Sequence, residues 1–419
     1  MSKVVKLGDI ASLKTGPFGT QFSAKEYTSE GIPVINVKNI GYGQILENEL
    51  DYIRESTRDR LSEHILKTGD IVFGRKGSVD RHAYISKQYN GWVQGSDCIR
   101  LRFQDDVNTR YISHYLKLDH VKKQINHASI GSTMASLNTD ILKNVKITLP
   151  ELSVQNSIET ILSSLESKVV INSQICSELE SMAKILYDYW FVQFDFPDEN
   201  GKPYRTSGGE MVWNEQLKRE IPKGWEAGTI GDLGTIVSGG TPNTSCEEYY
   251  CATGYAWITP NDLSGNTDKM FISHGERDVT LLGIENSSAV LMPKHTVLLS
   301  SRAPIGYLAI SENEVCTNQG FKSIVPDSGY SPFYIYYVLK SNISAIAQQG
   351  VGTTFKEVSK ETLSAFKIPL PPIKLIERFV TYILPGCNKR RILEIEYKEL
   401  TNLRDWLLPM LMNGQAQVE

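Results

Sequence analysis

Two short stretches set glycine beside hydroxyl and amide groups: Gly16-Pro17-Phe18-Gly19-Thr20-Gln21 and Gly239-Gly240-Thr241-Pro242-Asn243-Thr244. Glycine lets a backbone N–H approach an anionic oxygen closely, and the polar side chains add donors suited to a phosphate or a base edge. A second pair has the same character, Ile130-Gly131-Ser132-Thr133 and Val351-Gly352-Thr353-Thr354. Arg75 with Lys76, and Arg302, stand in matching stretches and could pair with a guanine edge or a phosphate. Asn318 and Gln319, before Gly320, could present amides to adenine or cap a turn, whereas Trp257 is read as core. A single Gly-Thr loop is more often a plain turn. Recurrence of two such loops at equivalent places raises the binding reading.

Residue patterns for reaction chemistry are missing. Gly69 to Gly74 has the spacing of a phosphate-cradling loop, but Arg75-Lys76-Gly77 follows it. Asn-Pro-Pro-aromatic, which would hold a flipped adenine, does not occur, and Pro371-Pro372 starts a helix. Pro197-Asp198-Glu199 lacks the second carboxylate-x-Lys strand of a nuclease site. The histidines show no metal-ligand spacing and there is no nucleophile elbow. Neither a catalytic residue, a metal nor a cofactor is expected.

The elements that position the candidate loops are written twice. Lys6-Leu7-Gly8-Asp9-Ile10 is answered by Thr229-Ile230-Gly231-Asp232-Leu233, and Ile32-Pro33-Val34-Ile35-Asn36 by Tyr255-Ala256-Trp257-Ile258-Thr259. Gly69-Asp70-Ile71-Val72-Phe73, leading to Arg75, is answered by Thr296-Val297-Leu298-Leu299, leading to Arg302. Val145-Lys146-Ile147-Thr148-Leu149-Pro150 matches Phe366-Lys367-Ile368-Pro369-Leu370-Pro371 at an offset of 221. Short β-rich runs broken by Gly and Pro, mixed with short helical patterns, predict an α+β domain in each copy.

After each domain the pattern changes to a narrow apolar stripe. Val154, Ile158, Ile161, Leu165, Ile175, Leu179, Met182, Leu186 and Tyr189 keep alternating four- and three-residue steps, with Lys168 and Asn172 at the remaining seam positions. This is a coiled-coil stripe, and a helix over 154–189 spans about 54 Å. The second stripe holds Ile373, Ile376, Val380, Ile383, Leu393, Tyr397, Leu400, Leu403 and Leu407, and Pro385-Gly386 should kink or break it. The two helices are expected to pair antiparallel, with Lys168 and Asn172 facing Lys389 and Leu393. Residues 197–224, with Pro197, Pro203, Gly208-Gly209 and Pro222, read as a polar linker.

The composition is that of a soluble globular chain long enough for two or three domains, without a membrane-spanning run or secretory leader. The six cysteines form no framework and read as reduced cytoplasmic thiols. Net charge is −4, unevenly spread: +5 over 1–150, −7 over 151–200, −3 over 201–371 and +1 over 372–419. Such a chain would need other subunits for much of any phosphate grip.

These landmarks resemble the specificity subunit of type I restriction-modification systems. Leu7-Gly8-Asp9-Ile10, Ile221-Pro222-Lys223-Gly224-Trp225, Asn318-Gln319-Gly320-Phe321 and the Gly-Ser/Thr-Thr loops carry the resemblance. So do Ile368-Pro369-Leu370-Pro371-Pro372 and Trp190-Phe191-Val192-Gln193-Phe194-Asp195. The resemblance implies target-recognition domains at 1–150 and 225–371, family-common helices at 151–196 and 372–419, and a pseudo-twofold repeat. It implies a non-catalytic chain whose domains each read half of a gapped site on double-stranded DNA. Expected partners are two adenine-methylating subunits and ATP-driven restriction subunits, with no membrane. Leu149-Pro150-Glu151-Leu152 departs from the pattern by lacking a second proline. The rival from another class is a repeated coiled-coil adaptor whose domains bind protein rather than DNA.

Overall fold

A computed structural model describes residues 3–129, 136–327, 329–352 and 356–416. The chain forms two compact units, residues 1–169 with 399–419, and residues 170–398.

The strands of the first unit are β1 (Lys3–Lys6), β2 (Ala11–Thr15), β3 (Tyr27–Thr28), β4 (Ile32–Ile35), β5 (Asp51–Ile53), β6 (Ile71–Gly74), β7 (His82–Tyr84), β8 (Val93–Gln94), β9 (Cys98–Phe103) and β10 (Lys146–Leu149). They make one sheet in the order β2-β9-β6-β7, a second in the order β3-β5-β4-β8, and the pair β1-β10. β6 lies between two neighbours and is wholly buried, so its Ile71-Val72-Phe73 run is apolar on both faces. Asp70, buried at its entry, accepts from Arg102 at 2.8 and 2.7 Å. A short helix, Thr109–Tyr115, starts where the Asn108 side chain accepts from Tyr111 N–H at 2.9 Å.

The second unit opens with a hairpin, β11 (Met211–Asn214) and β12 (Arg219–Pro222), inside the segment read as a linker. Its other strands are β13 (Glu226–Thr229), β14 (Gly234–Ser238), β15 (Tyr250–Cys251), β16 (Tyr255–Ile258), β17 (Phe271–Ile272), β18 (Arg277–Val279), β19 (Val297–Ser301), β20 (Ile305–Ser311), β21 (Val315–Thr317), β22 (Lys322–Pro326) and β23 (Lys367–Leu370). The sheets are β14-β22-β19-β20-β17, β15-β18-β16-β21 and β13-β23. Apart from the β11-β12 hairpin and β17, each strand has its counterpart in the first unit. Ser331 caps Pro332–Gln348 as Asn108 caps its shorter equivalent.

Both long helices, Leu152–Tyr187 and Ile373–Met412, contribute to each unit. In the first unit Ile158 and Leu162 share a core with Leu411 and Met412. In the second, Ala183 and Tyr187 share one with Ile376, Phe379, Ile383 and Cys387. There Asn172 donates to Glu396 at 2.9 Å, and Cys176 Sγ lies 3.9 Å from the Arg390 carbonyl. Partners descend along one helix as they ascend along the other, so the segments run antiparallel within this unit.

Two expectations for the helices need correction. The second helix is continuous through Pro385-Gly386. Buried Ile383 and Cys387 flank that pair and hold it in helical conformation, so packing outweighs the hydrogen bond that proline removes. The buried stripe of the first helix is displaced by one residue at every other position. Val169, Cys176 and Ala183 are buried, while Lys168, Ile175 and Met182 are exposed. Small Cys176 and Ala183 permit a close approach that Ile175 and Met182 would prevent. Asn172 is buried as expected, and its partner is Glu396.

Each domain is tied to the first helix by charge. In the first unit Lys117 donates to Glu166 at 2.6 Å, with Arg110 and His114 at 3.7 and 3.6 Å. Burial raises the Glu166 pKa, but the Lys117, His114 and Arg110 charges outweigh it and hold the carboxyl below its ordinary value. In the second unit Lys340 and buried Arg390 both meet Glu180. Arg390 also pairs with Glu394 at 2.6 Å, and Glu394 accepts from the Met270 and Phe271 N–H groups at 2.9 and 3.1 Å.

Candidate nucleic-acid interface

In the first unit the candidate residues collect where β2, β6 and β8 end. Gly16 closes β2 by donating to the Cys98 carbonyl at 2.9 Å, and it is buried. A Cβ there would stand 1.9 Å from the Gly95 carbonyl oxygen. The chain's own backbone therefore requires this glycine, with no appeal to a phosphate. Beyond it Phe18, Gly19, Thr20 and Gln21 are exposed, the last three in a 3-10 turn with Gly19 at φ +57°. The Arg75 guanidinium carbon lies 4.8 Å from the centre of the Phe18 ring. Arg75 Nε is buried and has no hydrogen-bond partner among the described residues. Lys76 is largely exposed, and its Nζ is 3.4 Å from Asp97. Ser132 and Thr133 lie outside the described residues.

In the second unit Gly240 is buried as well, its N–H donating to the Thr317 carbonyl at 2.8 Å. A Cβ there would fall 2.2 Å from the Ser288 carbonyl carbon. Buried Trp257 donates to the Gly240 carbonyl at 3.2 Å, which agrees with its reading as core. The Thr241 hydroxyl bonds the Gln319 amide oxygen, which joins two candidate loops. Asn243 is exposed, and its side chain accepts from Ser245 N–H at 3.0 Å. Asn318 accepts from Gly320 N–H at 2.9 Å, the turn-capping role. Arg302 lies 3.6 Å from Glu357, which also holds Lys322 at 3.2 Å. Thr353 and Thr354 lie outside the described residues.

The backbone corrects one correspondence. Arg75 N–H bonds the Asp97 carbonyl at 2.8 Å and its carbonyl accepts from Leu137 at 2.9 Å. In the second unit Ser301, not Arg302, makes the matching bonds, to the Gly320 carbonyl at 2.7 Å and from Val358 at 3.0 Å. Lys76 bridges Ser136 as Arg302 bridges Glu357. Arg75 thus matches Ser301, and Lys76 matches Arg302. Counting from Asp70 and Thr296 gives this register, whereas alignment on the arginines slips by one.

Sequence reasoning also missed residues that shape these loops. Gln319 and Gly320 correspond to Ser96 and Asp97 through the paired β8 and β21 strands. Tyr250 fixes the 241–243 loop by donating to the Pro242 carbonyl at 2.8 Å, with Arg277 4.7 Å from its ring centre. Glu357 was passed over because it belongs to no Gly-Thr pattern. Among the described residues, no group of His, Cys, Asp and Glu converges as a metal set.

The strand order and loop placement define a class: a duplicated α+β chain with two long helices that contribute to both units, and polar loops at one end of each unit. A solved structure of the S subunit of a type I restriction-modification system from M. genitalium has this fold, with a TM-score of 0.64 at 15% identity over 98% of this chain and 96% of that one. The chain belongs to the type I restriction modification DNA specificity domain family, whose model matches residues 2–181 and 222–395. The MjaIX specificity subunit of Methanocaldococcus jannaschii is 37% identical over 177 residues, which cover 41% of this chain and 40% of that relative. The HindI specificity subunit of Haemophilus influenzae is 24% identical over 440 residues, covering 91% of this chain and 94% of that relative.

Proposed function

We propose that this chain is the non-catalytic DNA-reading subunit of a type I restriction-modification complex, with one domain on each half of a gapped site. The observation that carries this reading is the duplication of one frame with different loop side chains. Matching backbone bonds hold Arg75 and Ser301, and the side chains around them differ. Two readers of different sequence on one duplex need that combination, because backbone contacts position and side chains discriminate. In this reading 1–150 and 225–371 are the readers, and the helices pair antiparallel as a coiled coil about a pseudo-twofold axis. Exposed apolar residues along the helices, among them Ile171, Met182, Ile185, Ile392 and Trp406, support docking of two methyltransferase subunits. Restriction and translocase subunits join the same cytoplasmic assembly. Among the described residues no helix is long and apolar enough to cross a membrane.

The test mixes the purified chain with its methylase subunits, duplex DNA and methyl donor, then maps modified adenines by sequencing. Modification at one gapped site, dependent on both components, is expected. Methyl transfer by the chain alone, in proportion to its concentration, would overturn the reading. The helices can be tested as a ruler by inserting a heptad after Asn172 and another after Leu393. Seven residues add about 10 Å, which is up to about three base pairs of spacer. An unchanged spacer with binding intact would remove that role.

A further inference from the structure

The loop between β6 and β7 has an arginine at each end, and each lies against an exposed ring. Arg75 sits at the Phe18 ring, and at the far end the Arg81 guanidinium carbon is 5.5 Å from the centre of the Tyr42 ring. Lys122, on the helix Asp119–Ala128, brings its Nζ to 4.9 Å from the same centre. Tyr42 is 44% exposed, and Arg81 makes no ion pair among the described residues. Asp119, the acid near Lys122, is 3.9 Å away with its side chain 90% exposed, so solvent screens it.

Two cations held at one ring repel each other, and the face of the ring offsets part of that repulsion. An anion drawn to these cations relieves the remainder. Next in the chain, His82 is held neutral by burial first, and the Lys117 and Lys122 charges act in the same direction. A base stacked on Tyr42 would compete with the cations for the ring, so a phosphate oxygen fits this arrangement better. In the second unit the corresponding loop, between Ser301 and Ile305, is only Arg302-Ala303-Pro304 and carries no second arginine.

We propose that Tyr42, Arg81 and Lys122 form a phosphodiester-binding platform, resting on the DNA-reading function, that gives the first half-site a backbone contact the second lacks.

The test uses the complex assembled with its methylase subunits, a duplex carrying the site found by methylation mapping, and a duplex without it. Binding of wild type and of the Arg81→Gln/Lys122→Gln double variant is titrated with salt, with circular dichroism as the check on folding. Each phosphate contact contributes a slope of about 0.9 in log K against log salt. The double variant should lose roughly one to two units, with equal weakening on both duplexes. An unchanged slope with site preference intact would overturn the platform and leave the DNA-reading function standing. Weakening confined to the site duplex would overturn the phosphate assignment in favour of a base contact. A wild-type complex with no site preference would overturn both. Arg81→Gln alone, a change at an exposed side chain, reads about half the effect should the double variant not fold.

Discussion

In the first unit the loop leaving β6 holds Arg75 against Phe18 and ends at Arg81 beside Tyr42. In the second, the loop leaving β19 holds Arg302, which shares Glu357 with Lys322, while Thr241 and Gln319 bond each other across the neighbouring loops. The strands beneath are ordered alike, and the same backbone bonds close both loop sets. The frame thus fixes where the loops start and stop without fixing what they present. The loop leaving β6 offers two arginines braced by rings, whereas the loop leaving β19 offers one arginine already paired with a carboxylate, beside amides and hydroxyls.

Exchange of a whole reader has the largest expected effect. Replacing residues 1–150 with the corresponding domain of another family member should change one half-site completely and leave the other intact. Site selection from a random library checks this, and a coupled change in both halves would break the two-reader comparison. The anchors come next. Arg390→Leu leaves buried Glu394 without its cation and should cost about 3–5 kcal/mol. Lys117→Leu removes a partly exposed partner of Glu166, which keeps Arg110 and His114 nearby, and should cost about 1 kcal/mol. Urea unfolding of both variants measures the two costs, and equal losses would erase the distinction between the anchors.

The duplicated frame was legible because backbone geometry leaves a mark in sequence: glycines where backbones touch, Pro and Gly at strand ends, and apolar runs such as Ile71-Val72-Phe73. Loop chemistry was less so. Gly16 and Gly240 read as phosphate approaches, yet neighbouring carbonyl groups alone exclude a side chain there. Tyr42 with Arg81, and Glu357 with Arg302, meet only in the folded chain, from positions that no motif links. The helix stripe failed for another reason. The two alternative seams share Ile158, Leu165, Asn172 and Leu179, and differ by one residue in between. A preference for large apolar side chains then chose Ile175 and Met182 over Cys176 and Ala183, which tight packing selects.

The cores should also differ in their response to acid. His82 is buried against Phe73, and the register places Leu308 at its equivalent position. Its Nε2 is 3.0 Å from the Ser113 carbonyl, while buried Nδ1 has no partner among the described residues, so a second proton would create an orphan donor. Burial first, then the Lys117 charge, pushes its pKa from 6.5 down to about 3. Between those values the unfolded chain binds a proton that the folded chain refuses. Stability therefore falls as pH drops below about 6.5, by about 1.4 kcal/mol per pH unit for this one group. His82→Gln should flatten the dependence between pH 6 and 5 by about that amount in urea unfolding. An unchanged slope would remove His82 as the source.

The smallest effect expected bears most directly on the loops. Glu357 lies 3.6 Å from Arg302 and 3.2 Å from Lys322, and the equivalent position in the first unit is Ser136. Its carboxylate lowers the positive potential at the second loop set, which weakens attraction to any duplex regardless of sequence. Glu357→Gln keeps the size and the backbone pairing with Val351 and Arg302, and removes only the charge. Arg302 would then be available to a phosphate, so the salt dependence of binding should steepen by up to about one unit of slope. Affinity for duplexes without the site should rise more than affinity for the site itself, so the specificity ratio falls. The reciprocal change, Ser136→Glu, sets a carboxylate beside Lys76 and should shallow the slope. Both variants can be read by salt-titrated anisotropy on the same two duplexes. If Glu357→Gln moves neither slope nor ratio, Arg302 takes no part in gripping DNA and the second domain relies on its neutral groups alone. If Ser136→Glu also has no effect, the contrast between the two loop sets does not govern binding.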